Sequence, residues 1–209
     1  MAMKVLALCS QKGGVGKTTI CGHLSVEAER TGFGPVALID TDPQGSLASW
    51  WNEREAPEPV FAQVQIANLA EHLRLLDEAG IKLAIIDTPP AVTTMIEQVM
   101  AVADLILIPT RPSPHDLRAV GSTVEIAERA GKRMVFVVNG AAQRARITGE
   151  AAIALSQHGT VAPVTLYQRT DYAASMIDGR TVQEIDAASR SAAEISELWL
   201  YVFAQIRKK

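Results

Sequence analysis

Cysteine, long apolar runs and excess positive charge are all scarce in this 209-residue chain. Its two cysteines, Cys9 and Cys21, lack the C-x-x-C spacing of a metal or redox site, so we expect buried thiols in a reducing, cytoplasmic compartment. No apolar run approaches the ~20 residues of a membrane helix, and the first residues show no signal-peptide pattern. The formal net charge of −3 excludes a chain that coats nucleic acid through its overall charge, but it allows a local basic patch.

Apolar runs alternate with helix-like patterns along the chain, which we expect to form one domain over residues 1–209. The expected strands are residues 4–8, 36–39, 60–66, 83–86, 105–108, 134–138 and 161–164. The expected helices are residues 17–31, 46–54, 69–79, 94–103, 116–130, 148–158 and 192–206. Runs such as Leu105-Ile106-Leu107-Ile108 are solidly apolar, which is typical of parallel strands buried on both faces. The pattern therefore predicts a doubly wound, mostly parallel α/β sheet with helices on both faces.

The stretch that follows the first expected strand has the composition of a phosphate-binding loop. It consists of Lys12, Gly13, Gly14, Val15, Gly16, Lys17, Thr18 and Thr19. Glycines let backbone N–H groups converge on an anion, and the start of the next helix adds unpaired N–H donors. Lys17 can reach terminal phosphates, and Thr18 offers a hydroxyl to Mg²⁺. A chance glycine-rich turn is the alternative, but this order of residues after an apolar strand favours a nucleotide site.

The spacing of this loop departs from the common G-x-x-x-x-G-K-S/T pattern, because Gln11 stands where the first glycine belongs. The chain has K-G-G-x-G-K-T-T instead, with the additional Lys12. This motif resembles that of the deviant Walker A ATPases, which include the ParA and MinD proteins, and the resemblance extends over essentially the whole chain. It implies a P-loop ATPase in which Lys12 reaches across a dimer interface to the partner's nucleotide and acts there together with Lys17.

Two of the expected strands lead into aspartates, in Asp40-Thr41-Asp42-Pro43-Gln44 and in Asp87-Thr88-Pro89-Pro90. A carboxylate after a buried strand is costly unless it faces a cation or N–H donors, and Mg²⁺ with its waters supplies such a partner. A helix N-cap is the alternative role for Asp40 and Asp87, which directly follow the strands. The resemblance implies that Asp87 holds Mg²⁺ through water, and that Asp42 orients the attacking water and supports the metal shell. It also implies that Asp40 secures the loop and metal geometry.

Later loops complete the implied nucleotide site. Pro89-Pro90 resembles the family's second switch and would leave γ-phosphate sensing to the amide of Ala91 or beyond, because proline has no N–H. Asn139 and Gln168 stand where the family binds adenine, and the lack of an Asn-Lys-x-Asp motif favours ATP over GTP. The family often has a basic or bulky residue at the position of Gly140, so Asn139 as a turn residue before glycine stays an alternative.

The proline-rich stretch 109–117 resembles a loop in the dimer interface of the short, ParF-like ParA proteins. Ser113 or Asp116 can cap the helix that follows. The apolar stretch 195–206 raises the question of a membrane-targeting amphipathic helix like that of MinD proteins. Glu194, Glu197 and Gln205 interrupt the basic face that such a helix needs, so we expect this stretch to pack in the core.

Basic residues concentrate in the second half of the chain. They are Arg129, Lys132, Arg133, Arg144, Arg146, Arg169, Arg180, Arg190, Arg207, Lys208 and Lys209. Scattered arginines usually mark a solvated face. The resemblance raises another interpretation, a non-specific DNA surface completed by dimerisation, which would contact phosphates and weaken steeply with salt.

The resemblance predicts a cytoplasmic, nucleoid-associated ParA-like ATPase that uses ATP and Mg²⁺. ATP would close two copies into a homodimer that holds non-specific DNA. A ParB-like or cargo-adaptor protein would then stimulate hydrolysis to ADP and phosphate, and the cycle would partition or position a cargo such as a plasmid, a chromosome or a protein complex. Two alternatives stay open, a MinD-like membrane-cycling ATPase and a small-molecule synthetase on the same fold.

Overall fold

Seven parallel strands form the sheet in the computed structural model, which describes residues 2–90 and 94–208. The strands are β1 (Lys4–Leu8), β2 (Val36–Asp40), β3 (Val60–Phe61), β4 (Leu83–Asp87), β5 (Leu105–Thr110), β6 (Met134–Ala141) and β7 (Thr160–Tyr167). Their order in the sheet is β3-β2-β4-β1-β5-β6-β7, so β1 lies at the centre between β4 and β5. This architecture confirms the predicted parallel α/β sheet.

Helices connect successive strands and cover both faces of the sheet. Within the described residues they are α1 (Lys17–Arg30), α2 (Ser46–Asn52), α3 (Leu69–Glu78), α4 (Thr94–Val102), α5 (Pro114–Arg129), α6 (Arg146–Ser156), α7 (Thr170–Ser175), α8 (Val182–Ile185) and α9 (Arg190–Ile206). Every helix predicted from the sequence is present, and no predicted end is displaced by more than two residues. The apolar periodicity was therefore sufficient to find the long helices.

The prediction missed the two short helices α7 and α8, which lie between β7 and α9. They have six and four residues, too few for an apolar period to emerge. A signal for α8 was nevertheless present, because Thr181-x-x-Glu184 is a capping-box pattern. In the structure the Glu184 carboxylate accepts the Thr181 backbone N–H at 2.8 Å.

The predicted strand over residues 60–66 was too long. Only Val60 and Phe61 pair with β2, and a 3-10 helix follows at Ile66–Asn68. Among the described strands, β3 is an edge strand that pairs only with β2. Its pairing stops where the following apolar side chains pack against the core instead. Val64 and Ile66 pack against the apolar cluster on one face of the sheet instead of continuing the ladder.

Alternate residues of each central strand enter two separate apolar clusters, one on each face of the sheet. In β1, Leu6 and Leu8 join the cluster beneath α1 and α9, whereas Val5 and Ala7 join the cluster beneath α3 to α6. Burial on both faces explains why the strands read as solid apolar runs rather than as alternating patterns.

The closing helix α9 packs its apolar face into the core, as predicted. Leu198, Trp199 and Val202 are at most 1% exposed and join the cluster shared with α1. The Trp199 indole N–H also donates to the Thr31 hydroxyl at 2.8 Å, which ties α9 to the end of α1. Among the described residues, no helix combines the length and apolarity needed to cross a membrane.

A buried histidine joins α1 to α7. His23 is fully buried, and its Nδ1 lies 2.8 Å from the Thr19 carbonyl, so Nδ1 carries the proton because a carbonyl only accepts. Its Nε2 lies 3.3 Å from the Ser175 hydroxyl, and its ring packs edge-on against Tyr172. Burial lowers the pKa of His23 to about 4, while the Thr19 hydrogen bond and Glu184 act in the opposite direction.

This histidine makes the stability of the fold depend on pH. Between its ordinary pKa of 6.5 and the folded value of about 4, the unfolded chain binds a proton that the folded chain does not. The free energy of unfolding should therefore fall as the pH decreases through this window, by up to about 3 kcal/mol. Urea unfolding at pH 7.5 and 4.5 should show a smaller loss in His23→Gln than in the wild type. His115→Gln, at an exposed site, should behave as the wild type, and an equal loss in all three proteins would contradict the assignment.

Candidate nucleotide site

The glycine-rich loop connects β1 to α1, and its glycines leave the backbone uncovered by side chains. Gly14 and Gly16 both have positive φ angles, of 73° and 90°, in a region that side chains rarely adopt. Gly16 is the N-cap of α1 and supplies no side chain to the first turn, so the N–H groups there face the loop. A Cβ atom at Gly16 would also overlap the amide nitrogen of Asn139. Only glycine fits this position.

A cavity of about 790 Å³ lies over this loop at the carboxyl end of the sheet. It brings together the loop residues Gly13, Gly14, Val15, Gly16, Lys17, Thr18 and Thr19 with Asp42, Asn139 and Gln168. The remaining predicted site residues lie outside its lining. Asp87 is buried beneath Thr18, Asp40 lies behind the loop that carries Asp42, and Lys12 is exposed on the phosphate loop.

Lys17 lies under the loop, with only 7% of its surface exposed. Its ammonium group donates to the Ser10 carbonyl at 3.3 Å. Burial lowers its pKa, and the nearby Asp87 carboxylate counteracts part of that effect. An anion in the cavity would restore a partner for this buried charge, as expected for a phosphate-binding lysine.

The Thr18 hydroxyl and the Asp87 carboxylate form a pair that suits Mg²⁺. Thr18 Oγ1 donates to Asp87 Oδ2 at 2.5 Å, and Asp87 is 1% exposed. Burial raises the pKa of Asp87 to about 7, so the negative charge of this carboxylate is not fully compensated by donors and cations in the free protein. No group of three acidic, histidine or cysteine side chains is poised for a metal in the described parts of the chain. Magnesium would thus take its other ligands from phosphate and water, as it does in nucleotide sites.

The two aspartates after β2 have different surroundings. Asp40 accepts the backbone N–H groups of Asp42, Leu47 and Ala48 at 3.0, 3.0 and 3.1 Å. Asp40 thereby closes the turn and accepts N–H groups of the first turn of α2. This is the capping role of the N-cap alternative, although the N-cap position itself is Gly45. Asp42 is half-buried and faces the cavity, and one of its oxygens accepts the Gln44 N–H at 3.0 Å. Asp42 is therefore the aspartate placed to meet a ligand, and Asp40 positions it.

Asn139 holds the phosphate loop as well as lining the cavity. Its side-chain N–H donates to the Val15 carbonyl at 2.6 Å, so it is more than a turn residue before glycine. Gln168 is exposed and lines the cavity just beyond β7, where its backbone N–H donates to the Ala141 carbonyl of the neighbouring β6 at 2.9 Å. The residue predicted to sense the γ-phosphate, Ala91, lies outside the described residues.

An ion-pair network that the sequence did not reveal supports the same wall. Glu194 of α9 accepts two hydrogen bonds from Arg169, at 3.0 and 2.6 Å, and one from the Tyr172 hydroxyl at 2.8 Å. It also accepts the Tyr167 backbone N–H at 3.0 Å. Arg169 is thus neutralised by a partner 25 residues away and is not a free surface cation. No local pattern signals such a pair, because its members meet only in the folded chain.

A family model described as the CobQ/CobB/MinD/ParA nucleotide binding domain matches residues 6–197. Among individual proteins, the chain is 34% identical over 203 residues to the maintenance of carboxysome distribution protein A of Halothiobacillus neapolitanus, with 90% of this chain and 91% of that protein covered. It is 30% identical over 183 residues to the protein ParA of Rhizobium radiobacter, with 82% of each covered.

Solved structures show the same fold at lower identity. An ATP complex of a Cyanothece McdA variant superimposes with a TM-score of 0.82 at 18% identity, over 100% of this chain and 98% of that one. The cell division ATPase MinD of Pyrococcus furiosus superimposes with a TM-score of 0.80 at 18% identity, over 96% and 98% of the two chains.

Proposed function

The chain belongs to the CobQ/CobB/MinD/ParA family of nucleotide-binding domains, and from that premise we propose that it is a ParA-type ATPase that positions a cargo. One observation carries the proposal: the phosphate loop and Asp42 line one cavity, directly above the buried Thr18–Asp87 pair. That arrangement provides phosphate binding, a metal position and a group for the attacking water within one site.

In this proposal the reaction is hydrolysis of ATP to ADP and phosphate. The loop N–H groups and Lys17 hold the phosphates, and Thr18, Asp87 and Asp42 hold Mg²⁺ directly or through water. The metal, when bound, neutralises charge on the phosphate oxygens. Asp42 orients the water that attacks the γ-phosphate, and Asp40 keeps Asp42 in place through their hydrogen bond. Phosphoryl transfer needs little more than such positioning and charge neutralisation.

The same proposal makes the active state a dimer. Lys12 is exposed and lies on the phosphate loop outside the cavity lining, so its ammonium group is free to reach a second subunit. Two copies closing face to face would each add one lysine to the other's phosphates. A partner protein on the cargo would stimulate hydrolysis and so separate the dimer.

The cargo we propose is a protein assembly of the carboxysome kind, which follows from the name of the 34% identical relative. Plasmid DNA is the second candidate, supported by the 30% identical relative named ParA. A membrane-cycling role is less favoured, because the apolar face of α9 is packed in the core. A small-molecule synthetase would turn over rapidly without DNA or a partner protein. A high basal ATPase rate would therefore favour a synthetase over a ParA-type ATPase.

We propose that non-specific DNA binds a group of cations that we call the basic edge: Lys132, Arg133, Arg207 and Lys208. Within the described residues none of the four has an acidic partner. The Arg133 guanidinium and the Lys208 backbone N–H both donate to the Gln205 carbonyl, at 2.9 and 3.2 Å, which brings the two segments together.

The basic edge lies at the amino end of β6 and the carboxyl end of α9, opposite the phosphate loop. Closure of the nucleotide face on a second copy would therefore leave it exposed. By contrast, Arg129, Arg146, Arg169 and Arg180 each have an acidic partner in the structure. Their charges are already compensated, which makes them weaker candidates for phosphate contacts.

The first prediction from the proposed function concerns hydrolysis. Asp42→Ala should still bind ATP, because the loop, Lys17 and the Thr18–Asp87 pair are unchanged, but phosphate release should fall by about 100-fold or more. Titration calorimetry and a phosphate-release assay would measure the two effects. Glu53→Ala is the matched control, since Glu53 also lines the cavity and has no role in the proposed reaction. Wild-type hydrolysis in Asp42→Ala would remove Asp42 from its role.

The second prediction concerns the dimer. Lys12→Ala should bind a non-hydrolysable ATP analogue but stay monomeric in light scattering, because it lacks the charge that reaches the partner's phosphates. Lys82→Ala, also exposed but at the opposite end of the sheet, should dimerise normally. A dimer of normal stability in Lys12→Ala would show that the lysine does not act across the interface.

The third prediction concerns DNA. The double variant Arg207→Ala/Lys208→Ala should bind non-specific DNA about 5- to 10-fold more weakly, and the slope of log affinity against log salt should fall by about 2. Mobility shifts with ATP at several salt concentrations would measure both. Arg74→Ala/Arg146→Ala removes the same charge from exposed arginines that have acidic partners and should change little. If both double variants weaken binding equally, the basic edge is not the DNA site.

A further inference from the structure

The residue after Asn139 has no side chain, and the backbone there is irregular. Gly140 has φ of 66°, and the pairing of β6 with β7 shifts register between Asn139 and Ala141. A side chain at this position would be strained because of the positive φ angle. The cavity lining at Gly140 is therefore open to a side chain from elsewhere in the chain.

Arg111 occupies the space beside Gly140. β5 and β6 pair up to Thr110 and Val138. The residues that follow these two, Arg111 and Asn139, therefore lie side by side. A Cβ atom built on Gly140 would lie 3.4 Å from Arg111 Nε and 3.7 Å from its Cγ. The arginine stem thus covers the glycine at van der Waals distance, and the bare glycine gives it room.

The guanidinium group of Arg111 borders the nucleotide cavity without compensation. Arg111 is exposed and lines the same cavity as Asn139, Leu166 and Gln168. In the described part of the chain it has no acidic side chain within 4 Å, whereas the neighbouring Arg169 is paired with Glu194. Its position just beyond β5 places it beside Asn139 of β6.

We propose that Arg111 lays its guanidinium plane on the purine ring of the bound nucleotide and so helps to select it. The inference rests on the proposed function, because it takes an adenine nucleotide as the ligand of this cavity. A planar, weakly hydrated guanidinium stacks well on an aromatic face, and Gly140 beside it presents no side chain that would occupy the space of the ring. Arg111 thereby takes the place of a side chain at position 140.

ADP, UDP and inorganic pyrophosphate test this role. They share the diphosphate but differ in the ring, and none carries a γ-phosphate to close a dimer. Arg111→Ala should bind ADP about 5- to 30-fold more weakly than the wild type, with a smaller loss for UDP because its ring presents less surface. Pyrophosphate, measured by competition with ADP, should bind with unchanged affinity. Arg111→Lys should lose nearly as much as Arg111→Ala, since an ammonium group keeps the charge but has no plane to stack.

Arg118→Ala is the matched control, because Arg118 is an exposed arginine of α5 that does not line the cavity. It should bind all three ligands as the wild type does. Unchanged ADP affinity in Arg111→Ala would overturn the proposal, and so would an equal loss for ADP and pyrophosphate, which would make Arg111 a phosphate contact. A wild-type protein that bound no ADP would instead overturn the proposed function itself.

Discussion

The carboxyl end of the sheet is organised around the buried carboxylate of Asp87. It accepts the Thr18 hydroxyl at 2.5 Å, and the carbonyl of the same residue accepts both the N–H and the hydroxyl of Thr41, at 3.0 and 2.6 Å. The adjacent Thr88 hydroxyl donates to the Leu8 carbonyl at 2.7 Å. β1, β2, β4 and α1 are therefore joined at one point. Because a buried carboxylate is costly without donors or a cation, the hydroxyl and N–H donors of this network stabilise the strand ends, and a cation beside Asp87 would stabilise them further.

Asp40 and Asp42 are only two residues apart, but their carboxylates have different surroundings: the first binds backbone N–H groups and the second lines the cavity. The Asp40 oxygens are taken up by three backbone N–H groups, so the turn after β2 is rigid and α2 starts at a defined point. Asp42 remains available on the cavity side. A positioned carboxylate beside a phosphate loop needs such support, since small displacements of a reacting group are costly in rate.

One wall of the cavity is built from segments that are distant in the chain. Glu194 of α9 holds Arg169 and Tyr172, and the ring of His23 of α1 packs against Tyr172. The segment that follows β7 is thus connected to both the first and the last helix. A ligand bound there would contact elements whose relative position depends on the apolar cluster beneath α1 and α9, which offers a route by which occupancy of the cavity is coupled to the fold.

The long helices, the parallel sheet and the phosphate loop could be predicted from residue order alone, because apolar periodicity and the order of glycine, lysine and threonine are local properties of the chain. Residue order did not show where the edge strand β3 stops, and it did not show α7, which is too short for an apolar period. Residue order placed Asp40, Asp42 and Asp87 at one edge, and the family resemblance gave each a separate role, but a helix N-cap stayed the alternative for Asp40 and Asp87. The folded structure was needed to show that Asp40 accepts backbone N–H groups, because the turn after β2 brings these donors to its carboxylate. It was also needed to show that Arg169 is neutralised by Glu194 and that Arg111 covers Gly140, because these contacts join residues far apart in the sequence or on neighbouring strand ends.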